Sequence, residues 1–331
     1  MTTDIRQTVL QSWLKKQLGD CTLQAMQGDA SFRRYFRIHH AGSSYVAMDA
    51  PPDKENCLPF IAIANALREK GLCTPEIIAS DLSQGFLLLT DFGNQLYLTT
   101  LSDTIQAESL YGIALDALAV LRTQKNIADW QLPHFTQNFM RNELELFKEW
   151  FLLKYLQITL TTQDEKKLND CFDFLAIFAS QQPQVFMHRD YHSANLMILP
   201  NHQVGILDFQ DACIGPVTYD LVSLLRDCYI DWPETTVIHL VSRYYEQLTD
   251  LRSTPAEFLQ WFDLMGIQRH LKALLTFSRK YCRDNNANYL QHIPRTLNYI
   301  LSIGERYSEC AFLCRFMKDN VLEKVAITCA G

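Results

Sequence analysis

The stretch that most restricts the fold is His188-Arg189-Asp190-Tyr191-His192-Ser193-Ala194-Asn195, a polar segment between two apolar runs. Val185-Phe186-Met187 enters it and Leu196-Met197-Ile198-Leu199 leaves it, each short and continuous like a buried strand. A further apolar run, Val204-Gly205-Ile206-Leu207, closes on Asp208-Phe209-Gln210-Asp211. A polar loop mounted between buried strands is a rigid platform for chemistry, and the second acidic cluster follows at the end of the next strand.

The spacing H-R-D-x-x-x-x-N is that of a phosphoryl-transfer catalytic loop. In that chemistry an Asp accepts the proton of the attacking hydroxyl and aims it at a γ-phosphate. The Asn turns a side-chain oxygen to magnesium, a hard cation that prefers oxygen ligands. Asp190 is therefore the candidate base, and Asn195 and Asp208 are the candidate metal ligands. Asp208 opens a D-F-x triplet in which Gln210 stands where Gly is usual. The literal triplet Asp91-Phe92-Gly93 precedes the catalytic loop, so it does not serve as the magnesium triplet, which follows that loop. Phe86-Leu87-Leu88-Leu89-Thr90 reads as a strand and Gly93-Asn94 as a turn. Residues 89–94 are expected to form a hinge whose backbone, at Leu89 and Asp91, holds adenine; an ordinary surface turn is the competing reading.

Residues 4–18 carry Ile5, Val9, Trp13 and Leu14 at helical spacing, with Gly19 at the end. Residues 32–38 and 44–49 read as a strand pair, with a loop of small residues, Gly28-Asp29-Ala30-Ser31, at its mouth. That loop lacks G-x-G-x-x-G, but its N–H groups and the Ser31 hydroxyl suit phosphate. Val46-Ala47-Met48-Asp49 lines up with the strand that carries a phosphate-binding Lys in kinases, and Asp49 takes the Lys position. The nearest cations are Arg33, Arg34 and Arg37. Arg33 with Ser31 is the expected phosphate-binding pair, against the reading of these arginines as solvated strand residues.

Helices are expected over residues 58–70, 106–122, 139–156 and 164–180, and residues 233–330 are helical by pattern. Gly215-Pro216 breaks the chain, after which Thr218 or Asp220 caps the following helix, or Asp220 instead accepts hydrogen bonds from the catalytic loop. No A-P-E segment or long activation loop is present, which favours a small-molecule pocket over a protein-substrate groove. Arg226, Gln268-Arg269-His270-Leu271-Lys272 and Arg279 concentrate cations in an otherwise acidic chain. They form either an anion-facing wall of a substrate pocket, with Arg226 and Arg269 as its contacts, or solvated helix faces.

The chain has 331 residues, enough for about two lobes, and a net charge of −7, which argues against a nucleic-acid partner. Ten scattered cysteines form no C-x-x-C and no zinc spacing with His. No charged-then-apolar leader opens the chain and no apolar run approaches membrane-spanning length, so a cytoplasmic location off the membrane is expected.

With these residues assembled, the chain resembles the aminoglycoside phosphotransferase and choline-kinase family. The likeness is carried by H-R-D-Y-H-S-A-N at 188–195, L-D-F-Q-D at 207–211 and G-P-V-T-Y-D-L at 215–221. Within that family it is similar to the bacterial branch acting on the anomeric hydroxyl of N-acetylmuramate and N-acetylglucosamine. That closer likeness rests on G-D-A-S-F-R-R-Y-F-R at 28–37, Y-V-A-M-D-A-P-P at 45–52, D-L-V-S-L-L-R-D-C-Y at 220–229 and Q-R-H-L-K at 268–272. The resemblance implies an α+β, two-lobed protein-kinase-like fold. A small β-rich N-terminal lobe would span residues 1–93 and a large, mostly helical C-terminal lobe residues 94–331. It also implies ATP, Mg2+ and phosphate transfer to the C1 hydroxyl of a small-molecule amino sugar in peptidoglycan recycling. Two other readings compete: a kinase of the same family acting on an aminoglycoside, choline or homoserine, and a nucleotide-binding pseudokinase, which Asp49 supports.

Overall fold

The computed structural model describes residues 4–26 and 32–330. Ser31 and the small-residue loop before it therefore lie outside the described residues. Along the chain run α1 (Ile5–Leu18), β1 (Thr22–Ala25), β2 (Arg34–His40), β3 (Ser43–Asp49), α2 (Leu58–Glu69), β4 (Ile77–Asp81) and β5 (Phe86–Thr90). There follow α3 (Tyr97–Thr100), α4 (Thr104–Leu121), α5 (Gln137–Phe147), α6 (Thr162–Ser180), β6 (Gln184–Met187), β7 (Leu196–Leu199), β8 (Gln203–Ile206) and β9 (Cys213–Pro216). The rest is helical: α7 (Tyr219–Leu225), α8 (Glu234–Gln247), α9 (Pro255–Asp284), α10 (Ile293–Gly304), α11 (Ala311–Phe316) and α12 (Leu322–Ala330). A β-rich N-terminal part thus precedes a larger, mostly helical one, as the α+β expectation required.

Contacts group the chain into two compact units. The first comprises Met1–Leu96, Asn126–Gln131 and Leu196–Asp211. Its five-stranded antiparallel sheet has the order β1-β2-β3-β5-β4. Phe86 to Leu89 of β5 are all buried, as expected of a strand hydrogen-bonded on both sides and covered on both faces. Asp4 caps α1 by accepting the Gln7 N–H, and the helix packs Leu10, Trp13 and Leu14 on Phe36, Ile38, Ala47, Phe86 and Leu88. Ile5 and Val9, two positions of the expected apolar stripe, point outward instead. Gly85 is required where β5 starts: its φ is +72°, and an added Cβ would lie 1.8 Å from the Ala50 carbonyl oxygen.

Asp49, in the position expected of a lysine, is completely buried. Cross-strand register sets Arg34 opposite it, and the carboxylate pairs with both Arg34 and Arg6 of α1. Asp49 is thus a structural anion that ties α1 to the sheet. The β7–β8 hairpin joins the same unit through Ile198 N–H to the Gln95 carbonyl and Ile206 N–H to the Cys73 carbonyl, both 2.8 Å.

The second unit comprises Tyr97–Lys125, Leu132–Asn195 and Ala212–Gly331. The 30-residue α9 opens with a Thr254/Glu257 capping box and runs through the main apolar core. Leu264, Ile267, Leu271 and Leu274 share that core with Phe147, Phe151 and Phe172. The helix expected over 139–156 is α5 followed by a π-helical segment, Lys148–Tyr155. Contrary to the expectation from apolar runs, the 18-residue α4 is long and apolar enough to cross a membrane by length and composition alone. Its face of Tyr111, Ala114, Leu115 and Leu118 is nevertheless buried, and it packs on α7 and α8 like a core helix.

Removing both cations of Asp49 leaves a charge uncompensated inside the protein. The double variant Arg6→Ala, Arg34→Ala is expected to lose about 3 kcal/mol in urea unfolding. A loss below about 1 kcal/mol would contradict the structural role of Asp49.

Candidate active site

The catalytic loop follows β6, and one carboxylate holds its backbone. Asp220, in the first turn of α7, accepts the N–H of His188 at 2.6 Å and that of Arg189 at 3.0 Å. Arg189 has φ +76°, a left-handed conformation that is strained for a residue with a Cβ and persists where surroundings over-determine it. The two bonds to Asp220 do so. Burial pushes the Asp220 carboxyl up to about 7, against the two N–H bonds that favour its charge. Of the two roles open to Asp220, the loop contact is the one observed. Thr218 turns its hydroxyl to Gln182 rather than capping α7.

The far end of the loop is held in the same way. Asp227, fully buried just beyond α7, accepts the N–H and the hydroxyl of Ser193 and the N–H of Tyr229. Between the two anchors, Asp190 N–H points to the His188 ring at 3.3 Å, and Asn195 Nδ2 donates to the Asp190 carbonyl at 3.0 Å. Asp190 itself projects with its side chain 34% exposed.

Burial alone would raise the Asp190 carboxyl, but Lys272, His192, Arg269 and His188 outweigh it and hold the group well below the usual carboxylate range. Lys272, on α9, places Nζ 3.4 Å from Asp190 Oδ1. One helical turn earlier, Gln268 donates to the buried Glu143 at 3.1 Å, and Arg189 approaches the other oxygen of Glu143 at 3.4 Å. Burial pushes Glu143 up, while Lys272 and Arg189 pull it down. Arg269 is nearly buried, donates to Ser223 and lies in the field of Asp190.

Arg226 corrects the sequence reading. It is fully buried, 2.8 Å from Asp263 and 3.0 Å from Glu234, and its guanidinium lies over the Phe262 ring. These partners make it a structural cation rather than a substrate contact. The Lys272, Glu143 and Asp227 contacts were not read from sequence. The available signal was the i, i+4 spacing of Gln268 and Lys272, which puts both on one face of α9.

The remaining candidates belong to the first unit. Asp208 is exposed and has φ +60°, again left-handed. Gln210 donates to it at 2.8 Å, and the buried Phe209 packs on Phe60 of α2 with ring centroids 4.9 Å apart. Arg33 pairs with Glu55 at 3.0 Å. Burial, together with Asp208 and Glu55, drives the neighbouring Tyr35 hydroxyl up to about 12, although Arg33 pulls it down. Arg33, Glu55, Tyr35 and Asp208 therefore share one electrostatic neighbourhood. Leu89 is buried in β5, paired with Val46 and Ile77. The Asp91 carboxylate is taken by Arg37 at 2.7 Å and by the Gly93 N–H at 2.9 Å. Magnesium is commonly held by one or two protein oxygens, with phosphates and waters completing the octahedron. The Asp208 carboxylate of the first unit and the Asn195 amide oxygen of the second, whose Nδ2 is engaged elsewhere, are each oxygen donors of the kind magnesium takes.

The sequence profile of the phosphotransferase enzyme family matches residues 22–258. An N-acetylmuramate/N-acetylglucosamine kinase of Pseudomonas putida is 41% identical over 329 residues, covering 94% of this chain and 95% of the relative. Among solved structures, a Plasmodium vivax ethanolamine kinase superposes with a TM-score of 0.64 at 13% identity, over 88% of this chain and 86% of the other. An ADP-bound aminoglycoside phosphotransferase does so with a TM-score of 0.60 at 14% identity, over 89% and 98%. These structural likenesses establish the fold, which is the protein-kinase-like one expected from the catalytic-loop motif.

Asp227→Ala orphans buried donors at the end of the loop. It is expected to destabilise the protein by about 2–4 kcal/mol in urea unfolding, whereas Ser193→Ala, which keeps the backbone bond, loses about 1 kcal/mol. Equal losses for the two variants would contradict the anchoring role of Asp227.

Proposed function

We propose, from the premise that this chain belongs to the phosphotransferase enzyme family, that it is an ATP-dependent anomeric amino-sugar kinase. It transfers the γ-phosphate to the C1 hydroxyl of N-acetylmuramate or N-acetylglucosamine, as a cytoplasmic step of peptidoglycan recycling. The observation that carries the reading is the 41% identity, over nearly the full length of both chains, to a kinase named for those two sugars.

The chemistry divides among the chain's own residues. Asp190 accepts a hydrogen bond from the C1 hydroxyl, aligns its oxygen with the γ-phosphorus and takes the proton as the new O–P bond forms. The bond to the β,γ-bridging oxygen breaks, and ADP leaves with its electron pair. Asn195 and Asp208 would hold Mg2+, which would supply positive charge to offset that of the transferring phosphate. Such a reaction depends chiefly on positioning and charge neutralisation. Arg33, steadied by Glu55, supplies the phosphate-facing cation in place of the missing strand lysine. The backbone at Leu89 and Asp91 receives adenine in a hinge over residues 89–94, between lobes of residues 1–93 and 94–331. Arg269 serves the sugar side of the site. Asp49, which suggested a pseudokinase, is accounted for by Arg6 and Arg34 and no longer favours that alternative.

The reading is tested by ADP release with Mg-ATP against N-acetylmuramate, N-acetylglucosamine, kanamycin and choline. Turnover is expected with the two amino sugars, whose products lose their reducing end; turnover with kanamycin or choline alone would overturn the substrate. Asp190→Asn should lower kcat by about 10²–10⁴-fold while ADP still binds. Asp208→Asn should shift the magnesium titration to higher concentration, and an unchanged titration would remove Asp208 from the metal site.

A further inference from the structure

Lys272 of α9 has the geometry of a residue that acts on more than Asp190. Its side chain is 20% exposed and the Asp190 side chain 34%, so neither is sealed from solvent. Their separation of 3.4 Å exceeds the roughly 2.7–2.9 Å of a closed charge-assisted hydrogen bond. An ammonium has three donors arranged around a compact charge, so one directed at Asp190 leaves it able to serve a second anion. The helix holds the stem in place: Leu271 and Ala273 on either side are buried. Asp190, Tyr219 and Glu143 raise the ammonium above its ordinary range despite burial, so Lys272 stays protonated at every working pH.

A permanent cation beside the proton acceptor weakens that acceptor as a base. In a loose phosphoryl-transfer transition state little depends on base strength, and most depends on meeting the charge spread over the phosphoryl oxygens. The strand position that usually supplies a lysine carries the buried Asp49 instead. We propose that Lys272 is a catalytic residue whose ammonium bridges the Asp190 carboxylate and a γ-phosphate oxygen during transfer. It donates hydrogen bonds and no proton. The hydroxyl proton goes to Asp190, the phosphorus exchanges the ADP oxygen for the sugar oxygen, and Lys272 is unchanged at the end of the step. The inference rests on the sugar-kinase reading above, and wild-type turnover in the same assay separates failure of that reading from failure of this one.

The two sugars distinguish catalysis from recognition, because N-acetylmuramate carries a carboxylate and N-acetylglucosamine does not. Steady-state kinetics of K272Q are expected to show kcat lowered about 100-fold on both sugars alike. Sugar KM and ADP affinity should stay within about threefold of wild type, as for a group that acts only in the transition state. K272R, which keeps the charge, should recover at least about a tenth of the wild-type kcat. A merely structural lysine would move none of these selectively. A raised KM for N-acetylmuramate alone would overturn the proposal in favour of carboxylate recognition. A K272Q kcat within about threefold of wild type on either sugar would overturn it outright. If K272Q does not fold, K272A assayed with methylammonium decides: restored turnover supports the proposal, and none in a variant that still binds ADP overturns it.

Discussion

The carboxylate of Asp220, accepting two consecutive backbone N–H groups of the catalytic loop, is the contact on which the site depends. Arg189 adopts a left-handed backbone that a residue with a Cβ rarely takes, and it lies next to the residue whose side chain must face outward. Two hydrogen bonds to a buried anion outweigh strain of about 1–3 kcal/mol. Asp227 repeats the device at the other end through Ser193 and Tyr229. Both anchors sit at the ends of the seven-residue α7, so one short buried helix sets both ends of the loop.

Charge placement elsewhere follows the same economy of buried anions matched by named cations. Asp49 is met by Arg6 and Arg34, Asp263 by Arg226, and Asp91 by Arg37. Each pair fixes one segment to another. The replacement of a strand lysine by Asp49 therefore changes what holds α1 to the sheet rather than removing a working part from the loop. Asp190 differs from these anions: its neighbours are cations, yet its side chain stays a third exposed. That pattern suits a group that works rather than one that braces.

Much of the fold was legible because it is written in local pattern. Strands followed continuous or alternating apolar runs, helices followed apolar periodicity although their capping residues Thr161 and Asp103 were not read, and the catalytic loop declared itself by spacing. The partners of buried charges were not legible. Arg6 finds Asp49 across 43 positions and Lys272 finds Asp190 across 82, and no periodicity links residues so far apart. Arg226 was misread for the same reason: a charged residue beside an apolar helix looks exposed until Asp263 is seen against it. Of the expected stripe Trp13 and Leu14 point inward, but packing set Leu10 beside them and left Ile5 and Val9 outside.

The dependence of Asp190 on the Asp220 clasp is tested most directly by Asp220→Asn, assayed for turnover and ADP binding together. The amide keeps the size of the carboxylate but offers one acceptor and sets an NH2 group against a backbone donor. If the clasp positions Asp190, kcat falls by about 10²-fold or more while ADP affinity is retained. Turnover within about threefold of wild type would contradict it and show that the loop holds its shape without Asp220.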